Sequence, residues 1–314
     1  MLAVTVAICT AGERRTLEGT VRSLLVQVPT IAAKHQILVV DNSRVDTGFV
    51  RRVVDAAAMH SPIPVRYTRE ARPGLGFARN AAIAAAEGEI VAFVDDDVVA
   101  DPSWLLELVR AYRETGAAAV GGRIYPIWES RRPPWLGDQL LGFLSIVDYG
   151  PDRRRCQYPN YPFGANISFR RDLLLKLGGF ATGLGGGGAP TYLMDEFELC
   201  RRVERAGGAI LYAPSAVVGH IVPASRLSKS FFLKRAVNLG RANARMALSE
   251  TDAFSRAAAA KGLLLAAGRV LRHGARASLL SVARRECESL SESRHLAWNL
   301  AWMWETTLLA LGRA

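Results

Sequence analysis

The sequence predicts an α/β fold: a mixed, mainly parallel sheet with helices on both faces, followed by a helical region. Three observations predict it. Short apolar runs alternate with helical stretches through the first third of the chain, the pattern of βαβ units and a parallel sheet. Polar residues stand where those runs stop, at Thr10, Asp41 and Asp95-Asp96-Asp97, and open parallel sheets bind ligands beyond the carboxyl ends of their strands. Beyond Arg226 the pattern is helical and basic to the end.

Taken in order, Ala3–Cys9 is a continuous apolar run that reads as the first strand and ends at Thr10-Ala11-Gly12-Glu13. Thr16–Gln27 has helical spacing, with Leu17, Val21, Leu24 and Leu25 on one face. Gln36–Val40 is a second strand, stopped by Asp41-Asn42-Ser43. Val50–Met59 reads as a helix, Val65–Thr68 as a third strand, Gly76–Ala86 as an Ala-rich helix and Glu89–Val94 as a fourth strand. Ser103–Thr115 is helical with Asp101 or Ser103 near its cap, and Ala117–Val120 is another strand. Tyr125–Pro162 is irregular, aromatic and rich in proline; so long a connection is expected to be a functional loop or lid. Phe163–Arg170 is strand-like, Asp172–Leu177 is a short helix, and Gly183–Gly188 must be flexible. Leu199, Val203 and Ala206 mark the core face of a helix opened by Asp195-Glu196-Phe197-Glu198. Ala209–Tyr212 and Ala216–His220 read as two short strands.

Half of the 314 residues are hydrophobic, ample for a core and contrary to disorder. Cys9, Cys156, Cys200 and Cys287 are far apart with no CxxC pairing, so neither a thiolate metal site nor a disulfide framework is expected, as in a reducing cytoplasm. The N-terminus lacks the basic region and cleavage site of a signal peptide, and no apolar run approaches the ~20 residues that cross a bilayer. The net charge is +11, and Ile221–Ala314 carries fifteen Lys and Arg against six Asp and Glu. Such a region suits phosphate-bearing partners or an anionic membrane, or is simply a solvated basic face.

Three adjacent carboxylates behind an apolar strand repel by roughly 4 kcal/mol per pair at an effective dielectric near 20. Asp95 and Asp97 point to one side of an extended chain and Asp96 to the other. Hard oxygen ligands in this arrangement suit Mg²⁺ or Mn²⁺ with substrate phosphates; the alternative is a cap for the following helix, which needs one Asp, not three. Asp195 and Glu196 open a helix, where acidic residues are favoured by the macrodipole, and either could also serve as a general base. His220 ends an apolar strand, as a core residue or a metal ligand. Gly74-Leu75-Gly76-Phe77-Ala78-Arg79 fails the dinucleotide fingerprint because Arg79 replaces the third glycine, but an Arg at a helix start could face a phosphate. No P-loop, G-x-S-x-G or H-E-x-x-H is present.

Five ordered stretches, VTVAICTAGERRTLEGTVRSLL, ILVVDNS, GLGFARNAAIAAAEGEIVAFVDDD, FGANISFRRDLLLKLGGF and DEFELCRRVERAGGAILYAPSAVVGH, resemble a family 2 glycosyltransferase of the GT-A fold. The resemblance covers residues 3 to about 245. It implies a catalytic domain over 1–221, with a nucleotide-binding half about 1–122 and an acceptor half about 123–221, before a basic amphipathic helical region over 222–314. It also implies that Thr10, Ala11, Glu13 and Asp41 hold the nucleoside, with Arg79 nearby. Asp95 and Asp97 form the D-x-D motif that binds ribose and the divalent cation, Mg²⁺ or Mn²⁺, with Asp96 between them in the nucleotide-sugar site. The Phe163–Asn166 segment lines the donor–acceptor cleft, setting Asn166 beside the donor, and His220 is a further metal ligand. The family usually shows Glu-Asp in its catalytic helix; here the order is reversed, so Glu196 takes the place of the family's Asp and the base stays open between Asp195 and Glu196.

The reaction implied is an inverting displacement that moves a sugar from a nucleoside-diphosphate sugar, UDP-sugar favoured, to an acceptor hydroxyl. The expected acceptor is a lipid-linked or small-molecule glycan precursor; nucleic acid is not expected. The basic helices with Trp298, Trp302 and Trp304 suit peripheral contact with the inner face of the membrane, or packing on the catalytic domain or in a homodimer. One rival reading is a degenerate GT-A protein that binds nucleotide without turnover. The other is a metal-dependent nucleotidyltransferase, which would carry a Gly-rich basic loop where this chain has only Gly12 before Arg14 and Arg15.

Overall fold

A computed structural model of the protein describes residues 2–12, 15–27, 33–182, 194–249, 256–282 and 286–310. Glu13 and the Gly183–Gly188 run lie outside the described residues. The chain forms two compact units, one from Met1–Ile127, Ser145–Thr182 and Asp195–Ile221, the other from Trp128–Leu144, Gly183–Met194 and Val222–Ala314.

The first unit is built on a nine-stranded sheet. Its strands are β1 (Leu2–Thr10), β2 (Ala33–Asp41), β3 (Val65–Arg69), β4 (Ile90–Asp95), β5 (Val98–Ala100), β6 (Ala119–Trp128), β7 (Arg154–Arg155), β8 (Ile167–Arg170) and β9 (Ile210–Val222). They run in the order β3-β2-β1-β4-β8-β6-β9-β5, with β7 added against β9. The first four are mutually parallel, and β8, β7 and β5 join antiparallel. The helices are α1 (Leu17–Leu25), α2 (Phe49–Met59), α3 (Leu75–Ala85), α4 (Trp104–Thr115), α5 (Arg171–Lys176) and α6 (Asp195–Arg205). Consecutive residues Ile37–Val40 and Ile90–Val94 are all buried, as strands covered on both faces must be. Register then sets the rim: Cys9 lies opposite Asp95, Thr10 opposite Asp41, and Asp41 opposite Arg69. The polar strand ends are therefore flush.

Two departures from the sequence expectation matter for the site. Ala209–Tyr212 and Ala216–His220 belong to one strand, β9, which runs straight through Pro214. Its pairing with β7 ends at Tyr212 and its pairing with β5 begins at Val218, so Pro214 falls between these two ladders, where its missing N–H breaks neither. The three-residue β5 is too short to leave a periodic signal. The expected loop from Tyr125 begins inside β6 and contains a 3-10 segment at Asp138–Leu144 and the short β7. In β6, a Cβ on Gly122 would sit 1.7 Å from the main-chain oxygen of Ala216. Gly122→Ala is expected to destabilise the protein by about 3 kcal/mol, read as a lower urea midpoint with an unchanged slope.

The second unit is carried by three long helices, α7 (Lys229–Ser249), α8 (Arg256–Val282) and α9 (Glu286–Ala310), with α9 packed along both others. Small residues let the helices approach: a Cβ on Gly240 would lie 2.3 Å from the Trp298 carbonyl oxygen, and one on Gly262 would lie 2.8 Å from the Trp302 ring. Trp135 meets Phe232 edge-on at 5.6 Å, and the buried Glu305 accepts a hydrogen bond from Arg245 at 2.6 Å. No described helix is long and apolar enough to cross a membrane.

Candidate functional site

The carboxyl rim of the parallel strands gathers most of the residues singled out above. The chain turns sharply after Asp95, so Asp96 and Asp97 occupy a tight turn between β4 and β5. Pairing of β5 with β9 places Val98 opposite His220, and the Ile221 N–H donates to the Asp97 carbonyl at 2.8 Å. That ladder brings His220 Nε2 to 3.1 Å from Asp97 Oδ1. One ligand atom each from Asp95, Asp97 and His220 lies within 4.8 Å of the others. Burial, and then the charge of Asp97, push the Asp95 carboxyl upward, against the pull of Arg79 and His220. Two carboxylate oxygens and an imidazole nitrogen make a donor set of the kind that divalent cations take. The residues fit a divalent cation.

Next to this cluster, Thr10 Oγ1 donates to Asp96 Oδ2 at 2.5 Å, tying the end of β1 to the turn. Ala11 follows in the exposed loop, and the Gly12 N–H donates to Ser43 Oγ at 2.8 Å. The buried Asp41 carboxylate accepts from the Ser43 N–H at 2.9 Å, the Tyr67 hydroxyl at 3.1 Å and Arg69 Nη1 at 3.2 Å. Asn42 accepts from the Gly74 N–H and donates to the Glu70 and Arg72 carbonyls, which fixes the approach to α3. Tyr67, Arg69 and Asn42 were not singled out from sequence. Their signal was the register of β3 against β2, which only the assembled sheet supplies.

A second cluster forms around Arg79, on α3. Its Nη1 donates to Asp195 Oδ2 at 2.8 Å and to Glu196 Oε2 at 3.4 Å, at the start of α6. All three are buried, at 3%, 1% and 7% exposure. The guanidinium also lies 5.1 Å from the centre of the Phe180 ring, so the structure sets Arg79 against the two carboxylates. Glu196 Oε1 accepts a further hydrogen bond from the Gly164 N–H at 3.2 Å. Burial pushes the Asp195 carboxyl well above the usual carboxylate range. Burial acts on Glu196 in the same sense, but the Arg79 charge and hydrogen bonds from Asp195 and from the backbone outweigh it and hold Glu196 low. The two carboxyls are thus pushed in opposite directions, Asp195 up and Glu196 down. Removing the cation would leave the pair without its counter-charge. Arg79→Met is expected to cost about 3–5 kcal/mol, read by urea unfolding.

Asn166 is turned inward. Its Oδ1 accepts from Trp104 Nε1 at 2.9 Å, and its Nδ2 donates to the Ala216 carbonyl at 2.8 Å and the Arg123 carbonyl at 3.1 Å. These bonds join α4, β6 and β9 and hold the adjoining Gly164 where its N–H meets Glu196. The charges of both Arg79 and Glu196 act on Asp95, so the two clusters share one electrostatic field. A low carboxylate beside a metal-competent acidic pair, at the strand ends of a parallel sheet, is equipped for proton removal next to a phosphate-bearing ligand.

The model of glycosyl transferase family 2 matches residues 5–178, more than half of the chain. The chain is 30% identical over 221 residues to the glucosyl-dolichyl phosphate glucuronosyltransferase of Haloferax volcanii, spanning 69% of this chain and 68% of that protein. It is 28% identical over 248 residues to the succinoglycan biosynthesis protein ExoM of Rhizobium meliloti, spanning 78% and 75%. Among solved structures, mannosyltransferase PcManGT from Pyrobaculum calidifontis, in complex with GDP-Man and Mn²⁺, matches with a TM-score of 0.62 at 21% identity, covering 96% of this chain and 87% of that one. At that identity the likeness speaks for the fold. Sheet, rim and family model lead to one assignment: the chain belongs to glycosyl transferase family 2 and is a glycosyltransferase of the GT-A fold.

Proposed function

We propose that the protein transfers a sugar from a nucleoside-diphosphate sugar to an acceptor hydroxyl with inversion at the anomeric carbon, Glu196 acting as the base. The observation that carries this reading is the convergence of Asp95, Asp97 and His220 within 4.8 Å on the same rim as an ionised, buried Glu196. Asp95, Asp97 and His220 are the residues that would hold a divalent cation, Mg²⁺ or Mn²⁺. When bound, such an ion offsets the charge of a departing diphosphate. Thr10, Ala11 and Asp41 stand where the nucleoside would lie, with Asp41 held rigid by Tyr67 and Arg69.

Glu196 takes the acceptor proton as that oxygen attacks the anomeric carbon from the face opposite the leaving group, and the attack inverts the configuration. Arg79 and the Gly164 N–H keep the carboxylate ionised and fixed in direction before the acceptor arrives. Burial raises the neighbouring Asp195 carboxyl, which favours Glu196 as the ionised member of the pair. Holding base, acceptor and donor in line removes much of the entropic barrier. The Haloferax relative, a glucosyl-dolichyl phosphate glucuronosyltransferase, supports a lipid-linked acceptor, and the mannosyltransferase complex with GDP-Man and Mn²⁺ supports a nucleotide-sugar donor and a metal.

The test is donor hydrolysis with Mn²⁺, water standing in for the acceptor, followed by proton NMR. Sugar released first with the anomeric configuration opposite to the donor supports the proposal. Retention would overturn the single displacement, and release of nucleoside monophosphate with sugar 1-phosphate would move the chain to nucleotidyl transfer.

A further inference from the structure

Helix α8 packs on α9, and much of its other side is exposed among the described residues. Leu264 and Leu271 are each 76% exposed, Leu279 70% and Leu265 58%. Leu264, Leu271, Ala275 and Leu279 are spaced by seven, four and four residues, which puts them on one strip of the helix. Leu265, Arg269, Arg272 and Arg276 form the adjoining strip; the three arginines are exposed, and Arg276 also pairs with Glu292 of α9 at 3.3 Å. Single exposed leucines are ordinary, but a continuous strip over four turns is not. The helix contains Arg256, Lys261, Arg269, Arg272 and Arg276 and no acidic residue.

We propose that this face of α8 docks on the surface of an anionic lipid bilayer, the leucines entering the acyl boundary and the arginines meeting lipid phosphates. Charge decides between a bilayer and a second copy of the chain. An isologous dimer through this face would set Arg269 and Arg272 against their own copies with no carboxylate of α8 to relieve them. An anionic leaflet supplies negative charge over the whole strip, and an amphipathic helix lying in its plane satisfies leucines and arginines together. Arginine stems can also cover apolar surface while their heads reach phosphate. With no helix able to span the bilayer among the described residues, the contact is peripheral and reversible. It requires neither donor nor acceptor, so it stands or falls apart from the catalytic reading.

The experiment is co-sedimentation of the full chain with vesicles of phosphatidylcholine alone or mixed with phosphatidylglycerol, no nucleotide or acceptor present. Binding is expected only with phosphatidylglycerol, and about 0.5 M salt should weaken it strongly by screening. Arg269→Gln with Arg272→Gln should lower the affinity about thirtyfold. Leu264→Ser, Leu271→Ser and Leu279→Ser together should abolish binding. Both variants alter only exposed side chains, so thermal midpoint and donor hydrolysis should match wild type. The proposal is overturned if wild type ignores the anionic vesicles, or if the triple leucine variant binds them like wild type. It is likewise overturned by light scattering that shows a dimer dissociated by the leucine substitutions without any vesicle binding, which would assign the face to a second copy.

Discussion

Asp97→Asn is expected to lower turnover by about a thousandfold or more, while the metal-free protein remains at least as stable as wild type. The amide keeps an oxygen to accept from His220 Nε2, now 3.1 Å from Asp97 Oδ1, so the link between the β4–β5 turn and β9 survives. What disappears is one of two like charges in a buried place. The Asp95 carboxyl is pushed up by burial and then by the charge of Asp97, so the pair strains the folded state when no cation is bound. Removing one charge relieves that strain and removes the ligand together. Urea unfolding in chelator should therefore show an equal or higher midpoint, with the gain from added Mn²⁺ lost. Near-normal turnover in this variant would take Asp97 out of the metal set.

Glu196→Gln should cost about a thousandfold in kcat with donor affinity unchanged. Glutamine can still accept from the Gly164 N–H, and with the Glu196 charge gone Asp195, 2.8 Å from Arg79 Nη1, is left to ionise as its counter-charge, so the fold and the nucleotide rim are kept. Asp195→Asn should be much milder, because burial raises that carboxyl and disfavours its charged form, so a neutral amide replaces it at smaller cost. A dead Asp195→Asn beside an active Glu196→Gln would reverse the assignment. The pH profile adds an independent check. A base works ionised, and Glu196 is held below the usual carboxylate range, so the Glu196 contribution to kcat should stay level from neutrality down to about pH 5. The same shift has a stability sign. A carboxyl lowered on folding stabilises the protein above its unfolded pKa, and that contribution is lost as the pH falls through the folded value. Asp195, raised on folding, acts oppositely: its cost is absent in acid and grows as the pH rises from its unfolded value towards its folded one.

The parallel half of the sheet could be read from the chain because its signals are local. An apolar run followed by a polar stop marks β1, β2 and β4, and parallel register places Thr10, Asp41 and Asp95 on one rim. The carboxylates at Asp95, Asp97, Asp195 and Glu196 were legible for the same reason. Their partners were not. Arg79 reaches Asp195 across 116 positions in sequence, and nothing near Arg79 distinguishes a guanidinium facing phosphate from one facing carboxylates. His220 meets Asp97 only because the three-residue β5 pairs with β9, and a strand that short has no period to detect. Asn166 lies in a recognisable segment, yet its three hydrogen bonds go to α4, β6 and β9, which come together only in the folded sheet. The opposite shifts of Asp195 and Glu196 also needed the fold, since the backbone hydrogen bonds that lower Glu196, the one from the Gly164 N–H among them, arise only there.

Thermal unfolding against UDP, GDP, CDP and dTDP, each with Mn²⁺ or with chelator, tests the rim site most directly. A ligand at about 100 times its Kd adds about 2.7 kcal/mol, enough for several degrees. One nucleotide should raise the midpoint in Mn²⁺ and lose most of that effect in chelator and in Asp97→Asn. An equal shift with and without metal, or no shift with any nucleotide, would contradict a cation-held diphosphate at Asp95, Asp97 and His220.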